Sequence, residues 1–283
     1  MRGVLLLVAS IATVVAAVYS AQALELSFDE LRPLPLLVAA VAVTPVTIVL
    51  NAAELRAMAP GSGADRRAID WPLAIRTVVL ATAANLLPVP AGAVIRIGVL
   101  RRAGATTGAA AGVTLAAAAI WIGVSVMLAA AVAVVIEPLV AVLGLAGGLA
   151  LSVAGVVSVR RTGRARWVAT AGELTLIQVA MAVLHAVRLW LVLAGISVSA
   201  EVGQTLIIGA SSPLAAAAGF FPGGIGLAEL LSALLAPLAG IAAAAGLLAV
   251  ALGRLLGLAV TIPLALALGL TDVVRSGPGH APV

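Results

Sequence analysis

The sequence predicts an all-α polytopic membrane protein: six spanning helices and two re-entrant helical hairpins, arranged as an inverted repeat. Three observations carry this prediction. Several apolar runs are long enough to cross a bilayer, two further apolar stretches are broken by proline and glycine, and a constant offset relates the two breaks. Of the 283 residues, 63% are hydrophobic and 10% are charged, against about 25% charged in a typical soluble domain. So few polar residues cannot form the outer shell of a soluble protein of this length.

Residues 3–23, 34–51, 112–136, 138–159, 174–195 and 241–270 approach or exceed the roughly 18–20 apolar residues that cross a ~30 Å hydrocarbon layer as a helix. Helices follow because backbone groups in lipid must be satisfied within the segment. The alternation of a β-barrel strand is absent. The first run admits two readings. Arg2, the apolar stretch 4–18 and Ala21-Gln22-Ala23 resemble a cleavable signal peptide, whereas the repeat described below requires a retained helix.

Orientation comes from arginine, since all 16 basic residues are Arg. The loop Arg160-Arg161-Thr162-Gly163-Arg164-Ala165-Arg166 and the segment 56–76 are placed in the cytoplasm by the positive-inside rule, with both termini. Glu25, Asp29, Glu30, Glu137 and Glu201 mark the outer loops. The segment between Arg76 and Arg101 then starts and ends on one side. It is broken by Asn85-Leu-Leu-Pro88-Val-Pro90-Ala-Gly92, and proline and glycine so placed interrupt the helical ladder. A re-entrant hairpin entering from the cytoplasm satisfies both facts. Residues 203–238 repeat the pattern around Phe220-Phe-Pro222-Gly223-Gly224-Ile-Gly226, entering from outside.

Pro88 and Pro222 are 134 positions apart, as are Gly92 and Gly226, Asn51 and His185, Glu54 and Arg188, and Gly123 and Gly257. Each half reads helix, helix, hairpin, helix. Three crossings per half invert the second half relative to the first. One membrane domain of residues 1–275 is therefore expected, with repeats of about 1–136 and 137–270 and a disordered tail at 276–283. Broken helices in inverted repeats are a transporter signature; eight ordinary spans with proline kinks is the competing reading.

An ionisable residue inside a span costs about 2.5–3.5 kcal/mol on insertion scales and needs a partner or a role. Arg96, His185, Arg188, Glu229 and Arg254 lie in apolar segments, as do Asn51 and Glu54. Around one cavity, Arg96, Arg188 and Arg254 would meet an anionic head group, because a guanidinium fork matches phosphate oxygens. The breaks, with Asn85, Pro88 and Gly92 in one and Pro222, Gly223, Gly224 and Gly226 in the other, would add helix N-termini and close backbone approach. Glu54 and Glu229 would balance Arg charge or carry a proton, and Glu229–Arg254 also reads as a structural ion pair. Arg56, Arg101 and Arg102 would snorkel to the lipid surface. Trp71, Trp121, Trp167 and Trp190 include interface anchors rather than site residues. Gly and Ala runs such as 109–112 and 242–246, and the glycines of 144–148, read as helix-packing surfaces.

Other chemistries are excluded. There is no Cys, hence no disulfide or thiolate site, and the two His, at 185 and 280, are too few for a His-based zinc site. No P-loop, dinucleotide glycine pattern or Ser-His-Asp arrangement occurs. No cofactor, nucleic acid or enzymatic activity is implied.

Pro222-Gly-Gly-Ile-Gly-Leu-Ala-Glu229, with Arg254 in the following helix, resembles the C-terminal signature of the lysylphosphatidylglycerol synthase transmembrane region, or flippase-like domain. Asn85-Leu-Leu-Pro-Val-Pro-Ala-Gly92 followed by Arg96 is similar to that family's other landmark, although Ala93 departs from the acidic residue expected there. The resemblance spans roughly residues 5–270 and implies handling of phospholipid or polyprenyl-linked lipid. It implies no synthesis of aminoacylated lipid, because the chain holds no stretch for a soluble transferase domain. The expected partners are membrane lipids with anionic head groups, and either further copies of this chain or a separate lipid-modifying enzyme. A lipid-presenting scaffold subunit is the alternative to a transporter, and an intramembrane lipid-modifying enzyme the least favoured.

Overall fold

Uninterrupted apolar runs give long helices here, and the proline–glycine breaks separate short ones. The computed structural model of the protein describes Gln22 and residues 34–85, 91–161, 167–218 and 226–275. In chain order the helices are α1 (Leu34–Ser62), α2 (Trp71–Ala84), α3 (Ala91–Arg102), α4 (Thr107–Ala133), α5 (Pro138–Arg161), α6 (Trp167–Gly195), α7 (Val202–Gly209), α8 (Ser211–Ala218), α9 (Leu227–Leu235) and α10 (Ala243–Arg275). No strand occurs among the described residues. Five of the helices, α1, α4, α5, α6 and α10, are long and apolar enough to cross a membrane, so the all-α multi-pass class is borne out. The expected span at 3–23, the prolines Pro88, Pro90 and Pro222, the glycines Gly223 and Gly224, the loop 162–166 and the tail 276–283 lie outside the described residues.

Two helices run further than their apolar stretches. α1 continues past Glu54 and Arg56 to Ser62, and α6 begins at Trp167 rather than near 174. Tertiary partners make both extensions possible. Glu173, in the first turns of α6, takes both guanidinium nitrogens of Arg66, at 2.7 and 3.0 Å. Arg56 lies 4.6 Å from the centre of the Trp71 ring. The indole face thus gives the Arg56 charge a partner at the start of α2. Arg101 and Arg102 at the end of α3 are exposed.

α1 and α6 pack against each other antiparallel at the centre. A Cβ added to Gly61 would lie 2.8 Å from the Thr170 side chain, and one on Gly195 would lie 2.7 Å from Leu37. α4 and α5 form a second antiparallel pair along a seam of small residues. A Cβ on Gly148 would lie 2.6 Å from Met127 and 2.7 Å from the Gly123 carbonyl, and one on Gly155 would lie 2.8 Å from the Ala116 carbonyl. In lipid, where apolar burial does not drive helices together, close backbone approach of this kind supplies the association. The glycines of these small-residue runs are used selectively. Gly144, Gly148 and Gly246 face a neighbour within van der Waals distance, whereas Gly112 and Gly147 face open space.

The short helices stand in two groups. α2 has 14 residues and α3 has 12, about 21 and 18 Å at 1.5 Å per residue, so neither crosses a ~30 Å layer alone. They pack side by side, and their outer ends meet where the Asp65 N–H donates to the Ala103 carbonyl at 2.8 Å. α2 starts cleanly because Asp70 accepts from the Leu73 N–H at 2.9 Å. In the second group, α7 and α8 lead away from Glu201 and α9 returns. Its outer ends also meet: Gln204 Nε2 donates to the Ala239 carbonyl at 2.8 Å, beside Gly240 in the left-handed conformation at φ 70°. Each group packs into its own apolar cluster, one around Leu55, Met58, Val78, Leu100 and Ile120, the other around Leu189, Leu193, Ile208, Ala228 and Leu248.

Candidate functional site

The polar residues inside the spans divide into two ion-paired clusters and one cavity. In the first cluster, Glu54 on α1 is buried, with 5% of its surface exposed. Its Oε2 accepts from Arg96 on α3 at 2.8 Å and its Oε1 accepts from Gln178 on α6 at 2.7 Å. The second guanidinium nitrogen of Arg96 donates to Asn51 Oδ1 at 3.0 Å. One carboxylate thus ties α1, α3 and α6 together, and its charge is matched by one guanidinium.

The second cluster sits at the other break. Gly226 takes φ 84°, ψ −43°, a conformation open to glycine without steric cost, and this lets the chain turn into α9. Glu229, one turn into that helix and 2% exposed, accepts from the Gly226 N–H through Oε2 at 2.8 Å. The free N–H donors at the start of α9 therefore meet a carboxylate belonging to the helix itself, a favourable placement for negative charge. Oε1 of Glu229 faces Arg254 Nε of α10 at 3.3 Å. At the first break, Gly92 is needed for a different reason: a Cβ there would overlap Asn85 Oδ1 and lie 2.7 Å from the Ala81 carbonyl.

Between the clusters lies a cavity of about 240 Å³. Its polar wall is Thr47 and Asn51 of α1, Ser125 of α4, His185 and Arg188 of α6, and Ser212 of α8. Trp121, Met181 and Leu206 are among its apolar lining. His185 Nε2 and Ser212 Oγ are 3.4 Å apart. Arg188 donates one nitrogen to the Gly253 carbonyl of α10, and its guanidinium lies where a Cβ on Gly257 would be. Its Nε is buried and has no hydrogen-bond partner, and among the described residues no carboxylate pairs with Arg188. Among the described residues, the wall carries one full positive charge, a histidine, an amide and hydroxyl groups, and no acid.

Protein-family models, curated proteins and solved structures were compared with the chain, and none matches.

The structure brings together only some of the residues singled out in the sequence. His185 and Arg188 line the cavity, and Asn51 both lines it and holds Arg96. Arg96 is turned to Glu54, and Arg254 to Glu229, so neither guanidinium is part of the cavity wall. Asn85, Gly92 and Gly226 shape the breaks, while Pro88, Pro222, Gly223 and Gly224 lie outside the described residues. Trp121, one of the four Trp set apart from the site residues, lines the cavity. Thr47, Ser125 and Ser212 also line it without having been singled out. A signal for them exists in the sequence: Thr47 with Asn51, Trp121 with Ser125, and His185 with Arg188 are polar or aromatic residues one turn apart inside apolar runs.

Described residues contain no group of three or more His, Asp and Glu spaced to hold a metal ion. The arrangement offers cation–anion recognition and hydrogen bonding. Among the described residues, Ser212 and His185 form a hydroxyl–imidazole pair on the cavity wall, and no carboxylate lines the cavity beside them.

Proposed function

We propose that this protein translocates an anionic or head-group-modified lipid between the leaflets of the cell membrane, with the head group held in the cavity at Arg188. A single observation carries the reading: a guanidinium inside the membrane-spanning part faces a cavity and has no carboxylate partner among the described residues. An unbalanced charge at that depth is costly, and a bound anion balances it. Phosphate oxygens suit the planar fork of Arg better than they suit a point charge.

The architecture that goes with this reading has six spans, including 3–23, and two re-entrant hairpins related by inversion, with both termini cytoplasmic. Paired outer ends at Asp65–Ala103 and Gln204–Ala239, and half-length arms, support it. So does the likeness of the motifs at 85–92 and 222–229 to the flippase-like domain. Transport follows the lipid gradient or is coupled to ions through Glu54 or Glu229; no nucleotide motif is present in the sequence.

The test is leaflet exchange of a fluorescent phosphatidylglycerol in vesicles containing the purified chain. Exchange well above the protein-free rate, reduced about tenfold or more by Arg188→Gln, supports the reading. Exchange equal to that of empty vesicles overturns it.

A further inference from the structure

Arg188 reaches the cavity from α6, but its guanidinium rests on α10, a helix that contributes no residue to the cavity wall among the described residues. One guanidinium nitrogen donates to the Gly253 carbonyl. One turn further along the same face of α10, Gly257 leaves open the space in which the guanidinium lies. A Cβ built on Gly257 would have Arg188 Nη2 at 2.8 Å, Nη1 at 3.2 Å and Cζ at 3.4 Å as its three nearest neighbours. A backbone carbonyl and a missing side chain thus form a seat for the charge. The two glycines of the seat differ. A Cβ on Gly253 would meet Leu189 Cδ2 at 3.6 Å, an ordinary van der Waals contact, and alanine there keeps the carbonyl. Gly123, related to Gly257 by the 134-residue offset, serves another purpose: its Cβ would strike Ser152 Oγ and the Gly148 carbonyl. Gly123 lets two backbones approach, whereas Gly257 admits a charged side chain.

We infer that Gly257 is a positioning residue: with the Gly253 carbonyl it fixes the Arg188 guanidinium against α10, and so sets where the cavity presents positive charge. An arginine side chain is long and flexible, and its planar fork recognises an anion well only when it is held at a defined angle. A methyl group at 257 cannot share the space of Nη2. The flexible end of Arg188 gives way most easily, because no backbone atom of a neighbouring helix stands as close to that position. The side open to it is the cavity, which Arg188 already lines. Alanine also favours a helix over glycine, so Gly257→Ala keeps the fold and moves the charge. The effect on lipid rests on the reading that the cavity holds an anionic head group; the seat itself does not.

The experiment uses the full chain in detergent and compares the wild type with Gly257→Ala, Gly253→Ala, Arg188→Gln and the double variant Gly257→Ala/Arg188→Gln. The first readout needs no ligand: the rate at which phenylglyoxal modifies Arg188, followed by mass spectrometry of its peptide. Freed from its carbonyl, Arg188 is expected to react about threefold or more faster in Gly257→Ala. The rate should hold in Gly253→Ala, with neither variant melting below the wild type. Equal rates in all three proteins, or the same acceleration in Gly253→Ala, overturn the inference. The second readout is retention of phosphatidylglycerol relative to phosphatidylcholine with the same acyl chains, by native mass spectrometry. Gly257→Ala is expected to lower that ratio about fivefold, and to lower it no further where Arg188→Gln is already present, since Gly257 acts through Arg188. A loss that persists in the Arg188→Gln background overturns the inference. Equal retention of the two lipids by the wild type defeats the head-group reading alone, and the modification rates then decide the seat.

Discussion

Glu54 shows how one side chain acquires two partners that sequence spacing does not announce. It accepts from residues 42 and 124 positions away, Arg96 and Gln178. Removing one partner of a buried pair leaves an uncompensated charge at a cost of about 3–5 kcal/mol, whereas removing both costs much less. Glu54→Leu and Arg96→Leu are each expected to lower the melting temperature in detergent sharply, and the double variant to recover most of the loss. Additive losses in that cycle would show that the two side chains do not act as a pair. Arg66–Glu173 makes the opposite case. Its geometry is bidentate, but its side chains are 43% and 35% exposed, so Arg66→Ala should change the melting temperature little.

Among the helices, the α4–α5 seam depends on which glycine of a run faces the neighbour. Gly148 is buried against Met127 and the Gly123 carbonyl, while adjacent Gly147 faces open space. Gly148→Leu must therefore push the helices apart, at a cost of at least about 1–3 kcal/mol, whereas Gly147→Leu adds an apolar side chain to an exposed position. A folded yield that drops for the first substitution and holds for the second is the expected result of a detergent-solubilised expression screen. If both are tolerated alike, the seam does not hold the pair together. The half-length helices depend on their breaks in a comparable way. Gly92 and Gly226 serve different needs there, close approach to Asn85 in one case and a positive φ in the other.

Across the whole molecule, the cavity falls at the level where the two apolar clusters meet. On α6, Leu174 and Ile177 belong to one cluster and Leu189 and Leu193 to the other, with His185 and Arg188 between them. The 134-residue offset pairs Asn51 with His185, and both line this cavity. It also pairs Glu54 with Arg188, and these differ in kind: Glu54 is tied to Arg96, and Arg188 faces the cavity. The two members of that sequence pair therefore differ both in charge and in what they face. The absence of Cys allows single-cysteine mapping of the paired outer ends. Arg67→Cys and Arg102→Cys should label from one side of the membrane, and Glu201→Cys and Ala242→Cys together from the other. Labelling of 67 and 102 from opposite sides would be incompatible with a hairpin between them.

Apolar run length was enough to establish that this chain is a helical membrane protein, because the hydrocarbon layer sets one scale and every backbone group must be bonded within its own segment. The same local logic located the breaks near Gly92 and Gly226 and marked Glu54, Arg96, His185, Arg188, Glu229 and Arg254 as residues that need a partner. Choice among partners was not local. Three arginines looked equivalent along the chain, yet packing gave carboxylates to Arg96 and Arg254 and turned Arg188 toward the cavity. Salt-bridge geometry acts over a few ångströms between residues tens of positions apart, so which charge remains available is decided by how α1, α3, α6 and α10 pack against one another.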